Sequence, residues 1–211
     1  MAAREQIPEA TIQRLPMYLR CLLEAQRVGH IGTSSQDLAQ ACGTNAAQVR
    51  KDLSYFGEVG TRGVGYDVQG LIAHLSSILG VIDRRRTAII GVGSFGHALA
   101  DYTGFSERGF EVVAAIDADP EKIGTTVAGV IVTPVDDLEA TLTETEAEIV
   151  IIATPAHVAQ AIADRAVSVG IKAILNLAPM RLTVPDDVVV RQVCLSADLQ
   201  VLSFHLAHNA L

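Results

Sequence analysis

The sequence predicts an α/β chain in two parts, with a helical N-terminal unit ahead of a doubly wound sheet. Three observations carry that prediction. The apolar run Thr87-Ala88-Ile89-Ile90 leads into Gly91-Val92-Gly93-Ser94-Phe95-Gly96, then into a helix-like segment from His97, then into Val112–Ile116, which ends at Asp117. Strand, glycine turn, helix, strand and acid, in that order, make a dinucleotide-binding fingerprint. Apolar strands then alternate with helical stretches as far as Val193, as a parallel sheet requires. Before residue 80 the pattern changes to helices, two of them joined by a short turn containing glycine.

Bulk composition sets limits. Two compact domains suit 211 residues. Hydrophobic residues at 49% supply a core, and with no Trp and aromatics at 4% it must rest on Leu, Ile, Val and Ala. No apolar run has the length of a membrane span, and the N-terminus lacks a signal-peptide pattern, so a cytoplasmic location is expected. Cys21, Cys42 and Cys194 are far apart and odd in number, which suits a reducing compartment better than a disulfide framework. No close Cys/His cluster exists, so no metal site is expected. The net charge of −8 argues against a nucleic-acid partner until its distribution is considered. Residues 1–80 hold 7 basic and 7 acidic side chains, whereas residues 81–211 hold 9 and 17. The excess lies in the second part, and local placement decides whether a surface attracts phosphate.

In chain order, Ile12, Leu15, Leu19, Leu22 and Leu23 predict a helix from Glu9 to Gln26, kinked at Pro16 and ended by Gly29 and Gly32. Ser34 or Ser35 caps a short second helix with Asp37 in its first turn, and Cys42-Gly43 end it. Asn45 caps a third, Ala46 to Phe56, on which Val49, Leu53 and Phe56 share the inward face. Ser35, Asn45, Gln48, Arg50, Lys51, Ser54 and Tyr55 are left for DNA contact: Gln and Arg suit base edges, while Lys, Ser and Tyr suit phosphate. Gly57 to Val68 carries four glycines around Arg62 and reads as a two-stranded wing, its arginine aimed at a minor groove. Gln69 to Leu79 forms a closing helix, with His74 as a surface or boundary residue. Arg84-Arg85-Arg86 read as a solvated linker.

In the glycine turn, Gly91 permits the bend, Gly93 lets backbone approach a pyrophosphate, and Gly96 allows close helix–strand packing. Val92, Ser94 and Phe95 complete the loop. Asp117 is expected to accept from ribose hydroxyls and to repel a 2′-phosphate, favouring NADH and NAD⁺. Further strands are expected at Gly129–Val132, Ile149–Ala153, Lys172–Leu175 and Val188–Val193, with helices at Asp136–Leu142 and Val158–Val169. Thr154, Pro155, Asn176, Ala178 and Pro179 follow strand ends and are expected near the dinucleotide. No catalytic residue is assigned. His97, His157 and His205 have no evident partner in sequence, and only about 20 residues follow the sheet, too few for a substrate domain. The alternative is a small NAD-dependent oxidoreductase with a fused binding module. Leu195 to Leu211 reads as a helix apolar over much of its girth, which calls for another subunit.

These strings resemble the Rex family of redox-sensing bacterial repressors over nearly the whole chain. The matching stretches are Arg14-Leu15-Pro16-Met17-Tyr18-Leu19-Arg20, Val49–Gly57, Gly60–Tyr66, Gly91-Val92-Gly93, Asp101-Tyr102, Ile116–Pro120 and Ile174–Pro179. The resemblance implies a winged helix-turn-helix domain (1–80), a Rossmann-type NAD(H)-binding domain (81–193) and a C-terminal swapped helix (194–211) in a homodimer. It further implies a non-enzymatic repressor that binds a palindromic A/T-rich operator in double-stranded DNA and releases it when NADH binds, with NAD⁺ competing. Arg20 and Tyr102 match positions of an interdomain switch. Cys194 stands where the family usually has Asp.

Overall fold

The computed structural model describes residues 7–57, 60 and 65–208. The chain divides into two compact units, Met1–Asp83 and Arg84–Leu211.

The first unit is helical. Helix α1 (Glu9–Arg27) follows Pro8 and accommodates Pro16 in its interior. After a glycine turn, β1 (Gly32–Thr33) leads into α2 (Ser35–Ala41) and α3 (Ala46–Ser54). Strand β2 (Tyr66–Asp67) pairs antiparallel with β1, and α4 (Val68–Ile78) follows at once, capped by the Asp67 carboxylate. Thus the described strand after the third helix pairs with residues preceding α2. The expected wing tip at Arg62 lies outside the described residues. Leu15, Tyr18, Leu22, Leu38, Val49, Leu53, Leu71 and Leu75 fill one core, with Phe56 partly buried against it. His74, expected at a surface or boundary, buries its Nε2 with no hydrogen-bond partner among the described residues.

The second unit is a seven-stranded sheet in the order β5-β6-β4-β3-β7-β8-β9. Its strands are β3 (Arg85–Ile90), β4 (Phe110–Asp117), β5 (Thr126–Val127), β6 (Val130–Pro134), β7 (Ile149–Ile152), β8 (Ala173–Asn176) and β9 (Val189–Gln192). All neighbours are parallel except β5 and β6. Arg85 and Arg86, expected in a linker, begin β3 instead; Arg85 pairs with Glu148 at 2.6 Å. Strand alternation sorts the core into two layers. Ala88, Ile90, Ala114, Ile116, Val150 and Ile152 face the layer holding α6 (Leu138–Glu144) and α7 (Ala156–Ser168). Ile89, Ala115, Val132 and Ile151 face the other, with Ala100 of α5 (Ser94–Ala100). Only Leu, Ile, Val and Ala are needed, because strands buried on both faces favour β-branched and small residues.

The chain runs outward from β3 through β4 to β6, then crosses back to β7 on the opposite side. That reversal creates a crevice at the carboxyl ends of β3 and β7, where parallel sheets of this kind hold ligands. Helix α8 (Leu195–His208) buries none of its residues. Leu195, Leu199, Val201, Leu202, Phe204 and Leu206 are all more than half exposed.

Candidate functional site

The three glycines of the turn answer three different demands. Gly91 has φ +92°, and a Cβ there would lie 2.6 Å from the Ala153 carbonyl oxygen. The bend therefore requires glycine twice over, for its left-handed backbone and for its approach to the segment after β7. Gly96 is more constrained still: a Cβ would fall 1.9 Å from the Gly91 oxygen. Gly93 is unlike both. It has φ −73° and ψ −175°, backbone open to any residue, and nothing lies within 4 Å of its missing Cβ. Nothing inside the fold requires glycine at 93, so the open space faces outward, toward whatever approaches the turn.

Ser94 and Phe95, next in the turn, are both exposed, and after β7 the Thr154 Cγ2 lies 3.0 Å from where a Gly91 Cβ would be. The Thr154 Oγ1 is buried without a hydrogen-bond partner among the described residues. An orphaned hydroxyl next to a glycine turn is a feature that a bound polar group would satisfy. Asp117, 9% exposed at the end of β4, accepts from the Val92 N–H at 2.5 Å and the Asp119 N–H at 2.9 Å, with Lys122 Nζ at 3.3 Å. Burial alone would raise its pKa; the two backbone hydrogen bonds and Lys122 outweigh that and hold the carboxylate below its usual range.

The structure supplies the surroundings of the other expected residues. Val92 is buried and its N–H is committed to Asp117, so it braces the turn from inside. Asp117 has most of its acceptor capacity engaged and one lone-pair direction left over. Lys122, not anticipated from sequence, lies between Asp117 and Asp119 at 3.3 and 3.4 Å. Asn176 is fully buried: its Nδ2 donates to Met180 O and Gln192 Oε1, and its Oδ1 accepts from Ala178 N–H. Ala178 is 1% exposed and its carbonyl accepts from Gln192 Nε2. Both residues tie β8 to β9; Pro179 is the exposed one. His97, which lacked a partner in sequence, has its Nδ1 3.2 Å from Asp101 Oδ2, one helical turn away, with both side chains more than half exposed.

The second set of residues lies in the first unit. Ser34 caps α2 in a full capping box with Asp37. Asn45 caps α3, its Oδ1 accepting from Gln48 N–H at 2.9 Å. The first cap fixes the start of α2 and the second the start of α3. Arg50 and Lys51 are exposed, and Arg50 donates to Ser35 Oγ at 2.9 Å. Ser54 donates to the Lys51 carbonyl, and Tyr55, half-buried, ends the helix.

Asp52, on the same helix, is completely buried, which sequence reasoning missed. It accepts from Thr11 Oγ1 at 3.0 Å, Arg14 at 2.6 and 2.8 Å, Tyr18 Oη at 2.8 Å and Gln48 Nε2 at 2.8 Å. Burial pushes its pKa up, and the four donors more than reverse this, bringing it to about 2. Gln48 is thereby corrected: its amide nitrogen turns inward to Asp52 instead of outward. The periodic clue was available, since Asp52 falls beside Val49 and Leu53 on the inner face.

Arg20 is exposed in the first unit. Tyr102, in the second, is 47% exposed, stacks edge-on against Phe105 and lies 3.4 Å from an Arg108 nitrogen. Cys194 occupies the N-cap of α8, its carbonyl accepting from Ala197 and Asp198. Its thiol pKa is lowered by the nearby Ser196 hydroxyl and the Ala197 N–H. An Asp would cap the same helix end more strongly.

A helix-turn-helix unit and a Rossmann-type sheet with a glycine turn, joined in one chain, define the class of DNA-binding regulators that carry a nucleotide fold. Comparisons with known proteins narrow this. Residues 6–54 match the family described as putative DNA-binding protein N-terminus, and residues 83–180 match the CoA binding domain family. The redox-sensing transcriptional repressor Rex of Desulfitobacterium hafniense is 50% identical over 200 residues, covering 95% of each chain. That of Streptomyces avermitilis is 50% identical over 204 residues, 97% of this chain and 81% of its own. Among solved structures, the Rex-family repressor RSP in complex with β-NAD⁺ and operator DNA is 38% identical, with a TM-score of 0.91 over 97% of this chain and 94% of that one. RSP in complex with β-NADH is 37% identical, with a TM-score of 0.87 over 97% and 96%. The chain belongs to the Rex family of redox-sensing transcriptional repressors.

Proposed function

We propose that this chain is an NADH-responsive repressor that binds a palindromic, A/T-rich operator when NADH is scarce and releases it when NADH binds. The observation that carries this reading is a glycine turn left open at Gly93, with the unpartnered Thr154 hydroxyl next to its Gly91, in a chain whose other unit presents Arg50 and Lys51 on a helix capped by Asn45. Gly91 to Gly96 and Thr154 would hold the pyrophosphate, with Pro155 and Pro179 at the rim. Asp117 would take a ribose hydroxyl. Its charge opposes any phosphate on that ribose, which favours NAD(H) over NADP(H) or coenzyme A. The coenzyme supplies the redox difference: its nicotinamide ring is cationic when oxidised and neutral when reduced. An apolar surrounding costs the cation more than the neutral ring and so favours NADH.

Arg50 and Lys51 are the principal DNA contacts of this reading, with Ser35, Asn45, Ser54 and Tyr55 beside them and Arg62 supplied by the wing. Two copies, joined through the exposed apolar helix α8, would present two such helices to a palindrome. Arg20 and Tyr102 belong to the switch between domain positions. The protein works by differential binding and turns nothing over, in the cytoplasm.

Fluorescence polarisation with a palindromic A/T-rich duplex, at fixed total coenzyme and varied NADH/NAD⁺ ratio, tests the proposal. Affinity is expected to fall as the ratio rises, with NADH absorbance at each ratio unchanged over time. Steady NADH consumption with a small carbonyl substrate would favour the oxidoreductase instead.

A further inference from the structure

Two thiols face each other inside the first unit. Cys21 lies on α1 and Cys42 at the C-cap of α2, 21 residues apart, and their Sγ atoms are 2.8 Å apart, with the Cys42 S–H donating. Cys42 is 8% exposed and Cys21 is partly exposed, so Cys21 is the more accessible of the two residues. Neither residue belongs to the glycine turn or to the outward face of α3. Cys42 does, however, immediately precede the turn Gly43-Thr44-Asn45 that sets the entry of α3.

We propose that Cys21 and Cys42 form a reversible dithiol–disulfide switch, oxidised by hydrogen peroxide, that weakens operator binding independently of the coenzyme. Its regulatory half rests on the DNA-binding reading above. The Cys21 thiolate attacks one peroxide oxygen; the O–O bond breaks, the departing oxygen leaves as water, and Cys21 becomes a sulfenic acid. The Cys42 sulfur then attacks the Cys21 sulfur. An S–S bond forms, the S–O bond breaks, and a second water leaves with the Cys42 proton. Two thiols and one peroxide thus give one disulfide and two waters, both electrons passing from sulfur to peroxide. Burial pushes the Cys42 thiol up to about 12, which suits the resolving rather than the attacking role, and leaves the attack to Cys21, whose sulfur accepts from the Cys42 S–H. A bond of about 2.05 Å draws the end of α2 onto α1 and moves the turn that carries α3.

The test uses the full-length Cys194→Ser protein, which removes the third thiol. Peroxide treatment is followed by alkylation, peptide mass spectrometry and operator titration at saturating NAD⁺. The expected result is a Cys21–Cys42 cross-linked peptide and operator affinity weakened about fivefold, both reversed by dithiothreitol. Cys21→Ser and Cys42→Ser should each bind operator when reduced and lose the response. Both thiols still alkylated after peroxide would overturn the proposal, as would a complete cross-link with unchanged operator affinity. If the reduced protein bound no operator at all, the DNA-binding reading would fail, yet the cross-link would still be readable.

Discussion

Asp52 and Asp117 are the two buried carboxylates among the described residues, one in each unit, and their surroundings differ in kind. Asp52 is bonded entirely by side chains, from α1 and from its own helix, and no face of it reaches solvent. Asp117 is bonded by backbone N–H groups of the glycine turn and by a lysine, and retains a little exposure. The first is an internal fastener that fixes α3 to α1. The second is a rim group with acceptor capacity left over. Burial alone does not separate a structural acid from a binding one; the residual acceptor capacity and its direction do.

Breaking the fastener should have the largest effect. Asp52→Ala leaves Arg14 and Tyr18 without their acceptor and should destabilise the first unit by about 3–5 kcal/mol, measured by denaturant melts, while the second unit still binds NADH. The same carboxylate predicts a pH dependence. Its folded pKa of about 2 lies below the value of about 3.9 for an unfolded aspartate. Its contribution is therefore full above about pH 4 and lost as pH falls through about 2. The steepening of acid unfolding over that window should disappear in Asp52→Asn.

The glycine turn offers a sharper contrast. Gly96→Ala forces a Cβ onto the Gly91 oxygen and should cost the second unit about 3 kcal/mol or more. Gly93→Val meets nothing in the fold; its melting temperature should stay near that of the parent while NADH affinity falls about tenfold or more. Equal melting losses in the two variants would erase the distinction drawn between these glycines. Thr154→Val should behave similarly but more mildly, with NADH weakened by about 1 kcal/mol and stability unharmed.

The smallest effects belong to the proposed DNA face. Arg50→Ala and Lys51→Ala should each lower the slope of log affinity against log salt by about one and leave NADH binding intact. Gln48→Ala should instead lower stability, because its amide serves Asp52.

Much of this was legible in the sequence, and for local reasons. The glycine roles follow from backbone sterics within six residues, and the sheet follows from alternating apolar runs. The caps at Ser34 and Asn45 sit next to the N–H groups they serve. What escaped was set by distant partners. Asp52 reads as one more polar residue on a charged helix, and its donors Thr11, Arg14 and Tyr18 lie 34 to 41 residues away. Asn176 ends a strand, and the acceptor of its amide, Gln192, lies on the next strand. Lys122 and the short β5 carry no periodic signal. The pairing of Tyr66–Asp67 with Gly32–Thr33 joins two short segments that neither propensity nor pattern connects.

Coupling between the two units is the central claim, and thermodynamic reciprocity tests it most directly. NADH affinity, measured by fluorescence with and without saturating operator duplex, should drop in the presence of the duplex by the same factor by which NADH weakens operator binding. An NADH dissociation constant unchanged by the duplex would contradict the account.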